Sequence, residues 1–355
     1  MRKAKAQAPS LADFAKGSAE LESIRRENRD LQRRLADEKS RTAQLVTAVY
    51  EAAHSAVAAM DLRPTPRPKL VHGKGSHEEV AIAVLSDWQL AKVTPTYSSE
   101  VCAQRVALMA RKVAELAEIQ RAHHPVRKCH VWLLGDLVEG EMIFPGQPWL
   151  VDASLYVQVQ RAAELVEGFV RTMLATFDEV RVVGVIGNHG SMGGRGRRDY
   201  NPETNFDRLA YSIVRTMFDR AGEKRVSFHI PEGGRERNWY AVDRIGNYSS
   251  LLFHGDQIRG HSGVPWYGFH KRVLGWATGA IPEPFIDATC GHFHTPTRMR
   301  LGNVTVRVNG TTESDNTYAQ EQLASMGTPA QWLLFAHPGK GRITAEYLVD
   351  LSEGK

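Results

Sequence analysis

Five short runs of apolar, mostly β-branched residues each stop at residues that can bind a cation. This constrains the chain more than any other feature. The runs are Ala81–Ser86, His130–Leu134, Val180–Ile186, Ser249–Phe253 and Asp287–Cys290. They are followed by Asp87-Trp88-Gln89, Gly135-Asp136, Gly187-Asn188-His189, His254-Gly255-Asp256 and Gly291-His292-Phe293-His294. Short Val- and Ile-rich runs bounded by Gly and polar residues predict buried strands. The stretches Ser99–Ala122 and Leu155–Phe177 between them predict helices. In such alternation the loops at the carboxyl ends of the strands converge on one crevice, so residues far apart in sequence can meet.

The chemistry of these strand ends is coherent. Asp offers anionic oxygen, Asn a neutral carbonyl oxygen and His a borderline nitrogen, and no Cys takes part. That donor set suits Mn, Mg, Fe or Zn in an open catalytic site rather than a closed structural zinc site. Two divalent ions about 3.5–4 Å apart would clamp a phosphoryl group and generate hydroxide at neutral pH. A single Asp or His at a strand end is ordinarily a cap or a satisfied polar group, so the ordered set carries the reading and no one member does. Trp88 and Phe293, between candidate ligands, predict crevice walls, and Asn309-Gly310-Thr311-Thr312 predicts a turn near the same rim.

The five islands resemble, in order, the motif series of the calcineurin-like metallophosphoesterase superfamily: Asp-x-His, Gly-Asp, Gly-Asn-His, His, Gly-His-x-His. The resemblance spans roughly residues 81–309. It implies an α/β fold with a two-sheet β-sandwich flanked by helices and the metals at one edge. It also implies two divalent ions, with Mn or Mg favoured and Zn or Fe as alternatives. One would be held by Asp87, Gln89, Asp136 and His294, and the other by Asp136 as a bridge with Asn188, His254 and His292. His189 would act as general acid toward the leaving oxygen. One position departs: Gln89 stands where the family usually has His. A Gln carbonyl is a harder and weaker ligand than imidazole, which favours Mn or Mg over Zn. Asp-x-Gln chains of this kind also look similar to bacteriophage phosphoesterases, so a bacterial or phage-infected cell is the expected setting.

Candidate substrate contacts are less sharply marked. A glycine-rich basic loop follows His189 and contains Arg195, Arg197 and Arg198. Such a loop can hold phosphates through backbone amides and guanidinium forks, or be a solvated loop. Residues 257–272 interleave Arg259, His261, Trp266, Tyr267, His270, Lys271 and Arg272. That pattern either binds nucleic acid by phosphate pairing and stacking or packs a lid. Glu139 and Glu141 are candidate supports for the metal ligands or ordinary loop residues.

The charge is unevenly placed. Residues 1–76 hold 15 Lys and Arg against 9 Asp and Glu, whereas the remainder holds 30 against 31. Attraction to nucleic acid would therefore come from the N-terminal arm and from local patches. In that arm a basic flexible tail is expected over 1–20. Leu21, Ile24, Asn28, Leu31, Leu35, Thr42, Leu45 and Val49 then follow 3–4 spacing, as in a short coiled coil, with Glu38 interrupting the seam. Asn28 at an a-type position favours a parallel homodimer through residues 21–50, and a lone helix folded on the rest is the alternative. A Pro- and Gly-rich linker over 61–78 predicts a semi-stiff spacer, with the catalytic domain at 79–355. Trp332–Ala336 and Ile343–Leu351 read as strands completing a second sheet.

No run reaches the eighteen or so apolar residues that a membrane span requires. Met1–Ala6 shows no secretory signal, and the three scattered cysteines, Cys102, Cys129 and Cys290, form no disulfide framework, so a cytoplasmic location is expected. The expected activity is phosphodiester hydrolysis by metal-activated hydroxide, with DNA as the expected substrate, by resemblance to the SbcD-type nuclease branch. A small-molecule nucleotide phosphodiesterase is the runner-up. The third reading is a coiled-coil interaction protein with a dead phosphoesterase domain, for which only Gln89 speaks.

Overall fold

The strands form where the apolar runs predict them, because a residue buried on both faces of a sheet must be apolar at every position. The computed structural model describes residues 11–70, 77–144, 146–192, 202–231, 239–259, 263–315 and 328–352. It divides into two compact units, Met1–Ser55 and Ala56–Lys355.

In the larger unit, β1 (Glu79–Leu85) is buried along its whole length. It pairs in parallel with β2 (Val126–Leu133), which pairs with β3 (Glu179–Gly184), and β3 pairs with β4 (Val226–His229). A second sheet contains β5 (Tyr240–Ile245), β6 (Tyr248–Phe253), β7 (Asp287–Cys290), β8 (Thr297–Leu301) and β9 (Val304–Val308), in the order β5-β6-β7-β9-β8. Strands β6, β7 and β9 run parallel. The expected two-sheet α/β sandwich is therefore present. The C-terminal strands depart from expectation. β10 (Ala330–His337) and β11 (Arg342–Asp350) do not build the second sheet but extend the first, with β10 antiparallel to β1 through Val80↔Ala336 and Ile82↔Leu334. Leu333, Leu334, Phe335 and Ala336 are all fully buried, which makes β10 an interior strand that needs a neighbour on both sides.

One core lies between the sheets, where Val80, Ile82, Val84, Trp132 and Val183 of the first meet Ala241, Ile245, Tyr248 and Leu252 of the second. Helices α2 (Ser99–Arg121), α3 (Leu155–Thr176) and α4 (Phe206–Arg220) belong with the first sheet, and each contributes a buried apolar stripe. The outer face of the second sheet packs on α5 (Trp266–Gly275) through Phe269 and Val273, and on Trp276 just after it. Ser98 caps α2 by accepting a hydrogen bond from the Val101 amide at 3.4 Å. Asn205 caps α4, accepting from the Asp207 amide at 2.9 Å.

Helix α1 (Leu11–Ala58), most of which makes up the smaller unit, starts ten residues before the expected helix and takes in half of the stretch read as a tail. Residues 11–20 carry Ala and Leu and no Pro, so nothing there stops a helix. Ile24 and Leu31 of the proposed seam are exposed.

The linker also differs from a free spacer. Thr65 donates its amide to Glu223 at 3.0 Å, and its carbonyl accepts from Arg225 at 2.6 Å. Arg171 donates to the Arg63 carbonyl at 3.0 Å. Residues 63–65 are thus strapped to the domain by partners more than a hundred positions away. Arg225→Ala leaves the buried Glu223 carboxylate without its cation and frees the Thr65 carbonyl. It should destabilise the domain by about 3 kcal/mol or more, as breaking a buried ion pair does. Limited proteolysis should then cut within residues 61–70, and unchanged protection there would refute the strap.

Candidate metal centre

The parallel strands β1, β2, β3, β6, β7 and β9 carry their following loops to one edge of the sandwich, where the backbone is unusually constrained. Asp87, Gln89, Asp136, His292 and His294 all have positive φ, between 46° and 71°. Each such L-residue costs about 1 kcal/mol or more, so the surroundings must hold it there. The motif glycines explain how the chain segments come close enough. A Cβ on Gly187 would lie 2.1 Å from Asp136 Oδ1, and one on Gly291 would lie 2.2 Å from Asp87 Oδ2.

All seven candidate ligands meet at this edge. Asp136 Oδ2 lies 3.0 Å from His254 Nε2 on one side and 3.4 Å from Gln89 Nε2 on the other. On the first side, His254 Nε2 is 3.0 Å from Asn188 Oδ1 and 3.2 Å from His292 Nδ1. On the second, His294 Nε2 is 3.4 Å from both Gln89 Nε2 and Asp87 Oδ1. Potential ligand atoms of Asp136, His254 and His292 all lie within 4.8 Å of one another. The residues therefore form two groups around one shared carboxylate.

The donors fit divalent cations. His254 Nδ1 donates to the Leu134 carbonyl at 2.8 Å, which leaves Nε2 as the coordinating atom. His294 Nδ1 lies 3.2 Å from Glu313, so a carboxylate orients this imidazole as well. Gln89 Oε1 is buried and has no hydrogen-bond partner. Rotation about the last side-chain bond would bring that oxygen to the place of Nε2, between Asp136 and His294.

The electrostatics show a strongly charged pocket. Burial disfavours ionised Asp136, but His254 and His189 outweigh it and hold the carboxyl below the usual range. Burial likewise opposes charge on His254, and the Asp136 carboxylate overcomes this and raises it to about 10. His294, opposed by burial but paired with Asp87 and Glu313, also rises to about 10. His292 has burial and the neighbouring His254 charge against it and falls to about 3.

His189 sits beside this group. Its amide donates to Asp136 Oδ1 at 2.8 Å. Its Nδ1 lies 2.8 Å from the Glu139 carbonyl oxygen and 3.3 Å from the Glu139 carboxylate, which leaves Nε2 to carry an exchangeable proton. Burial lowers its pKa, but Asp136 and Glu139 together raise it to about 9. Glu139 is therefore a partner of the proposed acid, itself held by Gln147 Nε2 at 2.9 Å. Glu141 instead accepts from the Leu155 amide at 2.8 Å and starts α3.

Sequence reasoning missed two carboxylates. Asp207, in the first turn of α4, accepts from the amides of Asp136 at 2.9 Å, Gly187 at 2.9 Å and Leu137 at 3.0 Å. It ties two ligand loops together. Glu313 joins His294 to Lys92, whose ammonium is 2.6 Å away. An Asp two residues after an Asn and just before an apolar helical stripe was the available signal for Asp207. Glu313 had none, because its partner lies across the β8–β9 hairpin. Of the proposed substrate contacts, Arg195, Arg197, Arg198 and His261 lie outside the described residues. Arg259 is exposed, on the loop that follows His254.

Two outcomes follow from this geometry. Imidazoles must be neutral to ligate, and His254 and His294 are protonated at pH 7 in the metal-free site. Loading should thus release about two protons and strengthen as pH rises from 6 to 9. Calorimetry in buffers of different ionisation enthalpy reads this directly, and release of none would contradict the assignment. Glu313→Gln should weaken Mn binding by roughly 10-fold to 100-fold with the fold intact. Unchanged affinity would remove Glu313 from the site.

No family model and no curated protein matches the chain. Among solved structures, it is similar to a predicted phosphoesterase from Streptococcus pneumoniae TIGR4. The identity is 13%, over 76% of this chain and 98% of that one, with a TM-score of 0.33. It is also similar to an archaeal phosphodiesterase, at 10% identity over 76% and 99% with a TM-score of 0.33. A third is vacuolar protein sorting 29 from Cryptosporidium parvum, at 12% identity over 77% and 98% with a TM-score of 0.35. In this chain the five motif islands are gathered at one edge of two packed sheets.

Proposed function

We propose that the chain is a metal-dependent phosphodiesterase acting on nucleic acid, DNA above all. The observation that carries this is Asp136, whose carboxylate is approached from both sides by ligand groups while it anchors His189. Asp87, Gln89, Asp136 and His294 would hold one divalent ion, and Asp136, Asn188, His254 and His292 the other. Mn or Mg suits the Gln89 oxygen. Bound there, such ions would polarise phosphate oxygens and supply a nucleophile at neutral pH.

The chain's own residues do the rest. Asp207 and Asp87 fix the loops by accepting backbone amides, Asp87 from His292 at 2.9 Å. Glu139 orients His189 so that its Nε2 proton can pass to the departing oxygen. The raised pKa keeps that proton in place through neutral pH, and donation is lost as pH rises through about 9. Cations beside Asp136 would move this limb to lower pH. The full ligand set speaks against a dead enzyme. The basic N-terminal arm and the Arg-rich stretch after His189 support nucleic acid over a small nucleotide.

The test is hydrolysis of single- and double-stranded DNA beside bis-p-nitrophenyl phosphate, with Mn or Mg and with chelator. Chelation should abolish turnover. His189→Ala should lower kcat by roughly 100-fold to 10,000-fold while keeping metal affinity. Full activity in that variant would overturn the acid assignment. Turnover of the small diester with DNA left intact would make the protein a nucleotide phosphodiesterase.

A further inference from the structure

Helix α5 presents an aromatic and basic face that the catalytic reading does not use. Its inner side is firmly seated: Phe269 and Val273 are fully buried. Phe269 packs on Phe293 with ring centroids 5.3 Å apart, and Phe293 meets the His292 ring at 5.0 Å. A Cβ on Gly268 would lie 2.6 Å from the Arg259 carbonyl, so the helix rests directly on the backbone of the loop following His254. Two ring contacts thus link the helix to the metal centre.

The outer side is open. Trp266 is 46% exposed and Tyr267 84% exposed. The Trp266 ring stacks on His270 at 5.1 Å with a 23° tilt, which holds its orientation, and Tyr267 stands edge-on to it at 5.4 Å. Lys271, one helical turn after Tyr267, and Arg272 are exposed on the same helix, and Arg259 is exposed on the loop whose backbone meets Gly268. From Trp266 to Pro282 the chain has no Asp or Glu. Exposed rings on a helix whose own charged residues are basic complement a polymer of flat bases joined by phosphates.

We propose that α5 is a stacking platform for single-stranded nucleic acid. Bases stack on Trp266 and Tyr267 while Lys271, Arg272 and Arg259 pair with phosphates. The proposal rests on the phosphodiesterase reading for why a strand should be there, and it names the substrate form as unpaired. Bases inside a duplex hide their faces, so the platform selects against double strands.

The test is anisotropy of a fluorescein-labelled 12-nucleotide thymidine strand titrated with the full chain in EDTA, at two salt concentrations, beside a duplex of equal length. Wild type should bind the single strand more tightly than the duplex. Trp266→Ala/Tyr267→Ala should weaken single-strand binding by about tenfold or more. Trp266→Phe/Tyr267→Phe, which keeps ring faces, should restore most of it. Lys271→Gln/Arg272→Gln should weaken binding and flatten its salt dependence. Equal affinity of the alanine variant and wild type, or equal binding of duplex and single strand, overturns the platform. Because chelated protein cannot turn over, the two readings fail separately. A wild type that binds but never cleaves with Mn or Mg sinks the hydrolase reading alone. One that cleaves, with the alanine variant binding as well as wild type, sinks the platform alone.

Discussion

The Asp207 carboxylate is the interaction on which the site depends. It accepts amides from Asp136 and Leu137 on one loop and Gly187 on the next, and so locks the ends of β2 and β3 at a fixed separation. Asp136 itself adopts positive φ, a conformation this loop would leave if its amide were released. Burial first, and then the neighbouring Asp136 charge, raise Asp207 to about 6. The Asn205 side chain completes the knot by donating to the Gly187 carbonyl at 2.9 Å.

A second network performs the same task on the other flank. Gln331, on β10, accepts the Ser86 amide at 3.0 Å and donates to the Ser86 and Gly310 carbonyls at 3.1 and 3.0 Å. Asn309 donates to Gln331 at 2.8 Å. Buried amides fully engaged in this way stiffen the loop bearing Asp87 without adding charge beneath the centre. The position of β10 beside β1 therefore has a local role as well as an architectural one. Had these C-terminal strands joined the other sheet, Ser86 would lack its partners.

Much of this was legible in the sequence because strand interiors and metal ligands both restrict residue choice. β7 begins and ends where its apolar run does, β6 ends with its run at Phe253, and the five islands converge as their order implies. What escaped notice depends on distant partners. Asp207 and Glu313 are ordinary acids until the fold brings them to Gly187 and His294. The Pro-rich stretch around Thr65 reads as a spacer, since nothing local announces Glu223 and Arg225. β4, β5 and β8 are short or mixed in polarity and show little periodicity of their own. The sheet membership of β10 differs from expectation because alternation reveals a strand but not its neighbour.

The Gln89 side chain has a consequence for how such a site can change over time. The backbone around it is closed to variation: a single methyl at Gly187 or Gly291 would strike a carboxylate. The Gln89 amide, by contrast, reaches Asp136 and His294, and its oxygen has no hydrogen-bond partner among the described residues. Exchanging it for another donor of similar reach would disturb no structural bond. Gln89 is thus a position through which a lineage can retune the site's preference among cations while the glycine-held backbone stays unchanged.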